Sequence, residues 1–291
     1  MSGRNRPRKS RRKKMQNKQR QASRKKGWRT ASKSDIHELY ELSVQEPEAE
    51  VDFIDQVWKE LRGRKASSIR EDFCGTAIAS MEWVKRRKTN FAWGVDLDPE
   101  VLDWGRARLP DRLTPAQAKR LTLIEGDVLK TKIDPVDSLL AMNFSYYIFK
   151  TQKDIKKYFK CAFAALKNDG LFMLDAYGGS DSFLEMEEDR DLDGFTYIWD
   201  QAYYNPINGD ATNHIHFRFP DGTRIRRAFT YHWRLWTLPE IRELLLQVGF
   251  QKVHVYWEGT DEETGEGNDE WTITDRGEAC PGWIAYIVAE K

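Results

Sequence analysis

The sequence predicts an α/β fold: a doubly wound, mostly parallel sheet of seven strands with a C-terminal antiparallel strand and an antiparallel β insert. Five strand-like segments alternate with helical segments over residues 66–175, the pattern of a parallel sheet with helices on both faces. After residue 181 this alternation stops and period-2 segments follow, which is typical of antiparallel strands. The expected core strands are residues 66–71, 91–95, 121–125, 136–142 and 171–175.

The first strand leads into a turn of small residues and then a helix. Residues 74–77 are Cys, Gly, Thr and Ala, and residues 77–88 place apolar side chains at helical spacing. The second strand is followed by Asp96, 21 residues after Gly75. In doubly wound folds a carboxylate meets ribose hydroxyls after about 20 residues, so the spacing indicates a bound nucleoside. An acid at a strand end is also common as a helix cap or a solvated group, and that alternative stays open.

The same turn argues against a dinucleotide. Phe73 and Ala77 stand where the dinucleotide fingerprint has glycines. A pyrophosphate needs the close backbone approach that glycine permits. We therefore expect a nucleoside cofactor that carries no phosphate.

Together these segments resemble the class I S-adenosylmethionine-dependent methyltransferases, whose fold is Rossmann-like. The first motif of that family is an acid followed by alternating glycines after strand one. This chain keeps the acid, Glu71, and one of the glycines, Gly75. The resemblance covers about residues 66–176, and the ordered set of motifs is more specific than any single one. The matching segments are residues 71–77, 94–99, 125–128, 136–142 and 166–170.

The resemblance implies S-adenosyl-L-methionine as the cofactor and methyl transfer as the reaction. It implies that Glu71 orients the turn and approaches the amino acid part of the cofactor, that Asp96 binds the ribose, and that Asp127 meets the adenine amino group. The expected cofactor-binding residues are Glu71, Phe73, Cys74, Gly75, Thr76, Asp96, Leu97, Asp127, Val128 and Asn143.

The methyl acceptor is expected at the carboxyl ends of strands four and five, because open α/β sheets bind ligands there. Aromatic clusters follow both strands, and aromatic walls suit a reaction that needs a positioned nucleophile and little water. Core packing is the alternative role for these rings. No general base can be assigned from the sequence, so the catalytic residues stay unknown. The expected substrate-binding residues are Tyr146, Tyr147, Tyr177 and, in the insert, Arg234.

The insert begins with residues 181–193, which hold seven acids and one Arg. Residues 212–219 then alternate, with His214 and His216 on the face opposite the apolar side chains. Two imidazoles without a nearby third ligand favour a solvated strand face over a metal site. The sequence therefore predicts no metal.

The C-terminal part resumes the core. Residues 237–240 predict a capping box for a helix over 241–248, and two strands, 252–257 and 283–289, follow. The loop between them, 259–270, is expected to be mobile. The expected domains are a disordered basic tail (1–34), a cofactor-binding core (35–180), an antiparallel β insert over the active site (181–236) and the C-terminal part of the core (237–291).

The charge of the chain is unevenly distributed. Residues 1–34 hold 15 Lys and Arg and no acid, so the remainder has 32 basic against 46 acidic residues. Such an acidic body disfavours nucleic acid, which would have to bind through the tail. The chain shows no apolar signal region and no stretch of roughly 18 apolar residues that would suit a membrane. Its three cysteines lack disulfide or zinc spacing. We expect a cytoplasmic protein, or a nuclear one if the tail is an address.

The predicted function is methyl transfer from S-adenosylmethionine to an N or O nucleophile of a small molecule, with an amine as one option. One alternative is a methyltransferase for RNA or a basic protein that uses the tail as an anchor. The other is a non-catalytic scaffold with a degenerate fold, in which Phe73 blocks the cofactor. The oligomeric state is not predicted.

Overall fold

A computed structural model of the chain describes residues 29–261 and 267–291. The tail predicted over residues 1–34 lies outside the described residues up to residue 28. The described part divides into two compact units. The larger unit comprises residues 44–184, 205–210 and 233–291, and the smaller comprises residues 29–43, 185–204 and 211–232.

Strands and helices alternate through the first half of the described residues. The helices are α1 (Ile36–Val44), α2 (Pro47–Arg62), α3 (Ile78–Arg86), α4 (Pro99–Arg112), α5 (Pro115–Ala118), α6 (Gln152–Ala164) and α7 (Leu238–Val248). The strands are β1 (Ser68–Asp72), β2 (Phe91–Asp96), β3 (Leu121–Glu125), β4 (Val136–Ala141), β5 (Leu166–Gly178), β6 (Met186–Leu192), β7 (Phe195–Tyr204), β8 (Asp210–Arg218), β9 (Arg224–Arg234), β10 (Lys252–Thr260), β11 (Gly267–Ile273) and β12 (Trp283–Glu290).

The larger unit is built on one eight-stranded sheet, in the order β11-β10-β12-β5-β4-β1-β2-β3. Strands β1 to β5 pair in parallel, and β12, β10 and β11 are antiparallel to their neighbours. This confirms the predicted doubly wound, mostly parallel sheet. The described residues give eight strands rather than seven, because part of the segment predicted as a loop forms β11.

The core of the larger unit lies where α2 and α3 cover the sheet. Phe53, Val57 and Trp58 of α2 are buried, which places one apolar stripe of that helix against the strands. Phe53 stacks on Tyr286 of β12 with ring centroids 4.3 Å apart. The Trp58 indole donates to the Ser138 hydroxyl at 2.6 Å. The middle and C-terminal part of α2 is thereby fixed against the sheet.

The capping signals in the sequence are confirmed. Asp98 accepts from the Glu100 amide at 2.9 Å at the start of α4. At α7 the Thr237 amide donates to the Glu240 carboxylate at 2.9 Å, which is one half of a complete capping box. Each device satisfies main-chain donors that a helix start leaves unpaired.

Strand β5 begins earlier than predicted. The sequence predicts a turn over residues 168–170 and a strand from residue 171, whereas β5 starts at Leu166 and the pairing with β4 shifts register there. A Cβ atom at Gly170 would lie 2.9 Å from the Leu166 Cβ. Glycine is needed at that irregularity because the two segments of chain approach so closely.

The segment between β10 and β12 contains a further strand, β11. Residues predicted as a mobile loop, 259–270, include the end of β10 and the start of β11. Residues 262–266 lie outside the described residues. β10 pairs with β11 as far as Thr260 and Gly267, and the Asp269 amide also donates to the Glu258 carboxylate at 2.8 Å. Strand pairing therefore continues further than the polar composition suggests.

The smaller unit holds a four-stranded antiparallel sheet in the order β6-β7-β8-β9, which confirms the predicted antiparallel insert. The prediction of a solvated histidine face is wrong, because His214 and His216 are only 6% and 9% exposed. Both imidazoles have partners on neighbouring strands. His214 Nδ1 lies 2.9 Å from the Thr230 hydroxyl, and His216 Nε2 lies 3.0 Å from an Asp200 oxygen.

Among the helices of residues 29–261 and 267–291, none combines the length and the apolar character needed to cross a membrane.

Candidate functional site

The turn after β1 adopts backbone angles that glycine normally supplies. Phe73, Gly75 and Ala77 have φ values of 59°, 53° and 60°, a region that L side chains rarely occupy. Phe73 and Ala77 are the positions at which the sequence departs from the glycine motif. The turn is closed by the Ala77 amide, which donates to the Cys74 carbonyl at 2.8 Å. The chain therefore keeps the conformation of a glycine-rich turn with only one glycine.

This turn is packed tightly against its neighbours. A Cβ atom at Gly94 of β2 would lie 2.9 Å from the Cys74 sulfur, and one at Gly105 of α4 would lie 2.6 Å from the Thr76 carbonyl oxygen. Cys74 is 1% exposed, and burial raises the pKa of its thiol well above the ordinary value. Cys74 is therefore a packing residue and not a thiolate nucleophile. The Thr76 hydroxyl oxygen is buried without a hydrogen-bond partner in the described part of the chain.

Asp96 ends β2 beside the turn. One carboxylate oxygen accepts from the Gly75 amide at 2.7 Å, and the other accepts from the Asp98 amide at 3.0 Å. A carboxylate has about four lone-pair sites, so each oxygen keeps room for a further donor such as a ribose hydroxyl. The next residue, Leu97, is 72% exposed and offers an apolar surface beside the carboxylate.

Glu71 lies near the carboxyl end of β1 and is nearly buried. Its Oε2 accepts from the Ser80 amide at 3.0 Å and from the Ser80 hydroxyl at 2.5 Å. Burial raises the pKa of Glu71 to about 7, although both Ser80 bonds act in the opposite direction. Glu71 thus ties the first turn of α3 to β1 through one oxygen, and the other oxygen has no hydrogen bond within the described residues.

Asp127 follows β3 and is held by the main chain. The Leu129 amide donates to it at 2.9 Å, and the Lys130 ammonium lies 3.2 Å away. The Leu129 hydrogen bond, with a smaller contribution from Lys130, holds the pKa of Asp127 below its ordinary value. The carboxylate is therefore ionised at neutral pH and able to accept from an amino group. The neighbouring Val128 is buried.

A buried ion pair beneath the turn is absent from the sequence prediction. Arg70 and Asp72 are each 2% exposed, and Arg70 Nε lies 2.6 Å from an Asp72 oxygen. The Tyr158 hydroxyl donates to the other oxygen at 3.1 Å, and Arg70 also donates to the Val128 carbonyl at 3.1 Å. The pair therefore joins β1 to the segment after β3. Its only signal in the sequence is a basic and an acidic residue two apart in the first strand.

The segment after β4 carries the second strained turn. Asn143 and Phe144 have φ values of 57° and 56°, so two successive non-glycine residues are left-handed. Their amides donate to the two carboxylate oxygens of Asp175 in β5, at 2.7 and 2.8 Å. The Phe144 ring lies 4.7 Å from that of Tyr177. Of the predicted site residues, Asn143 follows β4 and Tyr177 lies near the end of the adjacent strand β5, at one edge of the sheet.

Tyr146 and Tyr147 lie beneath this turn and are fully buried. The Tyr146 hydroxyl donates to the Asp175 carbonyl at 2.8 Å, and the Tyr147 hydroxyl donates to the Trp236 carbonyl at 3.3 Å. Burial raises the pKa of both phenols well above the ordinary value. In this structure the two tyrosines support the turn from within the core and present no hydroxyl to a ligand.

Arg234, the predicted substrate residue from the insert, already has partners. Its guanidinium donates to the Glu240 carboxylate at 2.8 Å and to the Lys150 carbonyl at 3.2 Å. It also lies 3.7 Å from the centre of the Trp236 ring. These contacts fix β9 to the start of α7, a structural role that the sequence did not indicate.

Three buried acids meet near the carboxyl edge of the sheet. Glu50 of α2 interacts electrostatically with Glu71 and with Asp175, and the three are 8%, 7% and 6% exposed. Burial raises the pKa of Glu50 to about 8 and those of Glu71 and Asp175 to about 7. We call this set the carboxyl-edge acids. Since no basic side chain among residues 29–261 and 267–291 pairs with them, a cationic ligand would stabilise their ionised forms.

A separate group in the smaller unit has the composition of a metal site. Ligand atoms of Glu187, Asp200 and His216 lie within 4.8 Å of one another. However, the Arg227 amide donates to His216 Nδ1 at 2.7 Å, so the ring proton of the neutral imidazole is on Nε2, facing Asp200. A metal would need that nitrogen unprotonated. The geometry is that of a hydrogen-bonded histidine–carboxylate pair.

The sheet register brings most of the predicted residues together. Asp72 pairs with Val95 and Asp96 with Glu125, so the ends of β1, β2 and β3 align, and β4 and β5 end beside them. The predicted cofactor residues therefore share one edge. Sequence reasoning missed Glu50, Arg70, Asp72 and Asp175.

Solved structures of S-adenosylmethionine-dependent methyltransferases are similar to this chain. One from Clostridium acetobutylicum has 18% identity and a TM-score of 0.62, over 88% of this chain and 97% of that chain. An amino pentose methyltransferase from Micromonospora echinaspora, solved with S-adenosylmethionine, has 15% identity and a TM-score of 0.61, over 88% and 97%. A sugar N-methyltransferase from Streptoalloteichus has 16% identity and a TM-score of 0.58, over 89% and 93%.

These similarities show the fold across most of the chain: it is that of class I S-adenosylmethionine-dependent methyltransferases, and it includes the antiparallel insert. No protein-family model matches the sequence, and no curated protein matches it. The predicted fold is thus confirmed by structure.

Proposed function

We propose that the protein is an S-adenosylmethionine-dependent methyltransferase that acts on a small molecule. The observation that carries the proposal is the turn after β1. Its left-handed residues Phe73, Gly75 and Ala77 are closed onto Asp96 by the hydrogen bond from the Gly75 amide. A tight turn beside a strand-end carboxylate is the arrangement that receives a nucleoside in doubly wound folds.

The residues present fit this cofactor. Asp96 has free lone pairs for the ribose hydroxyls, and Leu97 offers an exposed apolar surface beside it. The carboxyl-edge acids supply negative charge without basic partners in the described residues, which suits a ligand with a sulfonium and an ammonium group. The Phe73 ring packs 5.6 Å from that of Tyr158 and 6.2 Å from that of Phe149. This aromatic packing supports cofactor binding over the scaffold alternative, in which Phe73 blocks the site.

S-adenosylmethionine, when bound, supplies a methyl group activated on a positively charged sulfur. The acceptor nitrogen or oxygen forms a bond to the methyl carbon as the carbon–sulfur bond breaks, and the acceptor loses its proton. The chain's contribution is to hold the two reactants in line and to exclude water. Phe144 and Tyr177 are the partly exposed rings at the edge that we assign to the acceptor side.

We propose an amine as the acceptor. A carboxyl edge rich in acids attracts a cationic amine. Those acids also have pKa values of about 7 and 8, close to the pH at which a base must take up an ammonium proton. Two of the similar structures are, by their descriptions, an amino pentose and a sugar N-methyltransferase, which agrees with this chemistry.

The proposal is tested by calorimetric titration with S-adenosylmethionine and S-adenosylhomocysteine. We expect Asp96→Ala to weaken binding by about 1–3 kcal/mol because two hydroxyls lose their acceptor. Asp98→Ala is the matched control, since it removes the same charge two residues away and costs only the α4 cap. Absence of binding to the unaltered chain would overturn the proposal and favour the scaffold.

A second candidate is a methyltransferase whose acceptor is RNA, because residues 1–34 hold 15 Lys and Arg and no acid. Removal of residues 1–28 separates the two. If RNA is the acceptor, the truncated chain should lose RNA affinity at physiological salt. If the acceptor is a small molecule, titration with S-adenosylhomocysteine and turnover of amines should be the same in both forms.

A further inference from the structure

The conformation of residues 143 and 144 needs an external constraint. Both are non-glycine residues with positive φ, and two such residues in succession are disfavoured for L side chains. We call Asn143 and Phe144 the left-handed turn. Something in the fold must hold it, because the local sequence does not favour it.

Asp175 supplies that constraint from the neighbouring strand. One of its oxygens accepts from the Asn143 amide at 2.7 Å, and the other accepts from the Phe144 amide at 2.8 Å. Its own carbonyl accepts from the Tyr146 hydroxyl at 2.8 Å. The residue is 6% exposed, so water competes little for these bonds. Asp175 therefore holds the left-handed turn through its carboxylate and Tyr146, two residues later, through its main-chain carbonyl.

We propose that Asp175 is a positioning residue for the reaction: its carboxylate holds the left-handed turn so that Asn143 faces the cofactor and Phe144 faces the acceptor. It acts on the turn through the main-chain amides of Asn143 and Phe144. This inference deepens the proposed function and rests on it. It assigns to a buried residue of β5 the geometry of a loop that follows β4.

The strength of these two amide–carboxylate hydrogen bonds depends on the ionisation of Asp175. The groups that face it are Glu50 from α2, Tyr286 from β12, and Tyr146 and Tyr147 from the segment itself. All are acidic or neutral, so none favours the carboxylate. Burial raises the pKa of Asp175 to about 7, against the hydrogen bonds from the Phe144 and Asn143 amides. Protonation converts one acceptor oxygen into a hydroxyl, so the hydrogen bonds to the left-handed turn should weaken as pH falls below 7.

The chain contains a matched control. Asp137, at the amino end of β4, is 1% exposed and also accepts from two successive main-chain amides, those of Ser67 and Ser68, each at 2.9 Å. Asp175→Asn and Asp137→Asn thus remove the same charge and the same kind of bond from opposite ends of the sheet. Only the first should disturb the left-handed turn.

Two measurements test the inference on the full-length chain. Hydrogen exchange over residues 141–148 reports the turn directly, and we expect Asp175→Asn to accelerate it by about tenfold or more because a buried charge-assisted bond is lost. Calorimetry with S-adenosylhomocysteine reports the consequence, an increase of about tenfold in Kd that is smaller at pH 6 than at pH 8. Asp137→Asn should leave the Kd unchanged and should not accelerate exchange over residues 141–148 beyond its loss of global stability. Asp175→Glu, which keeps the carboxylate, should recover part of both readouts.

Equal effects of Asp175→Asn and Asp137→Asn, or no effect of either, would overturn the inference. If Asp175→Asn does not fold, the unaltered chain decides: protection of residues 141–148, corrected for intrinsic exchange, should fall from pH 8 to pH 6, and constant protection contradicts the proposal. The exchange readout needs no ligand. Absence of S-adenosylhomocysteine binding would therefore contradict the proposed function. Unchanged hydrogen exchange in Asp175→Asn would contradict only the role of Asp175.

Discussion

Buried acids at the two ends of the parallel sheet have opposite surroundings. At the amino end, Asp137 lies 3.2 Å from both Lys167 and Arg64 and accepts from Ser67 and Ser68. Burial opposes its ionisation, but these hydrogen bonds together hold the pKa of Asp137 well below its usual range. At the carboxyl end, the carboxyl-edge acids have raised pKa values and no basic partner among residues 29–261 and 267–291.

This difference separates acids that stabilise the fold from acids that lower its stability. An ionised, hydrogen-bonded acid such as Asp137 adds stability at neutral pH, whereas a buried acid without a cation lowers it. The acids that lower stability lie at the edge where open α/β sheets bind ligands. We therefore interpret the carboxyl-edge acids as part of the proposed site, and each prediction below tests that interpretation.

The largest effect should come from converting a paired acid into an unpaired one. Arg70→Met leaves Asp72 buried without its cation, so the free energy of unfolding should fall by about 3–5 kcal/mol. Urea unfolding at pH 7.5 measures it. Arg64→Met is the control, since that guanidinium side chain is 41% exposed and Asp137 keeps Lys167 at 3.2 Å, so the loss should be only about 0–1 kcal/mol. Equal losses in the two variants would remove the distinction between buried and surface pairing.

Asp137→Asn should destabilise the fold without affecting the site. Loss of the charge-assisted bonds from Ser67 and Ser68 should lower the free energy of unfolding by about 1.5–3 kcal/mol. The Kd for S-adenosylhomocysteine should stay within about twofold, because Asp137 lies at the amino end of the sheet and the proposed site at the carboxyl end. A Kd that changes in parallel with stability would show that the two ends of the sheet are not independent.

Glu50→Gln should do the reverse. In the folded chain the pKa of Glu50 is raised from 4.5 to about 8, so the folded state binds the proton more tightly than the unfolded state. Its contribution to stability is therefore complete below about pH 4.5 and is lost as pH rises toward 8. At pH 8.5 the variant should be more stable than the unaltered chain by about 1–2 kcal/mol, and its stability should vary less between pH 5 and 8.5. Destabilisation at pH 8.5 would contradict this sign.

The smallest effect concerns the charge of the cofactor. S-adenosylmethionine carries a sulfonium that S-adenosylhomocysteine lacks, so the carboxyl-edge acids should favour the former. At pH 8.5, where Glu50 is ionised, Glu50→Gln should reduce the ratio of the two affinities by roughly fivefold, about 1 kcal/mol at an effective dielectric constant of 20. Glu48→Gln, an exposed change on the same helix, is the control. An unchanged ratio would mean that Glu50 lies too far from the sulfur to matter.

The sequence predicted the features that depend on neighbours in the chain. The parallel strands follow from short apolar runs, the starts of α4 and α7 from capping residues, and the position of Asp96 from its distance to Gly75. Each signal lies within about 20 residues, the range over which a strand–turn–helix unit specifies itself.

The features that the sequence did not predict depend on distant contacts. The partners of Asp175 are 31 and 32 residues away, and Glu50 reaches the edge from a helix that precedes β1. The histidines of β8 are buried by neighbouring strands, which alternation alone does not reveal. At residues 73 and 77 the absence of glycine suggests a departure from the motif. In the structure tight packing nevertheless holds Phe73 and Ala77 in the backbone conformation that glycine would adopt.

That substitution of glycines also affects the unfolded chain. Glycine at residues 73 and 77 would allow the unfolded chain many more backbone conformations, all lost when the turn forms. Phe73 and Ala77 have fewer conformations to lose, and Gly94 and Gly105 leave little space for the folded turn to move. The turn is therefore preorganised, and a nucleoside that binds there would not have to order it. Glycine at residues 73 and 77 would relieve strain and at the same time make the turn more flexible.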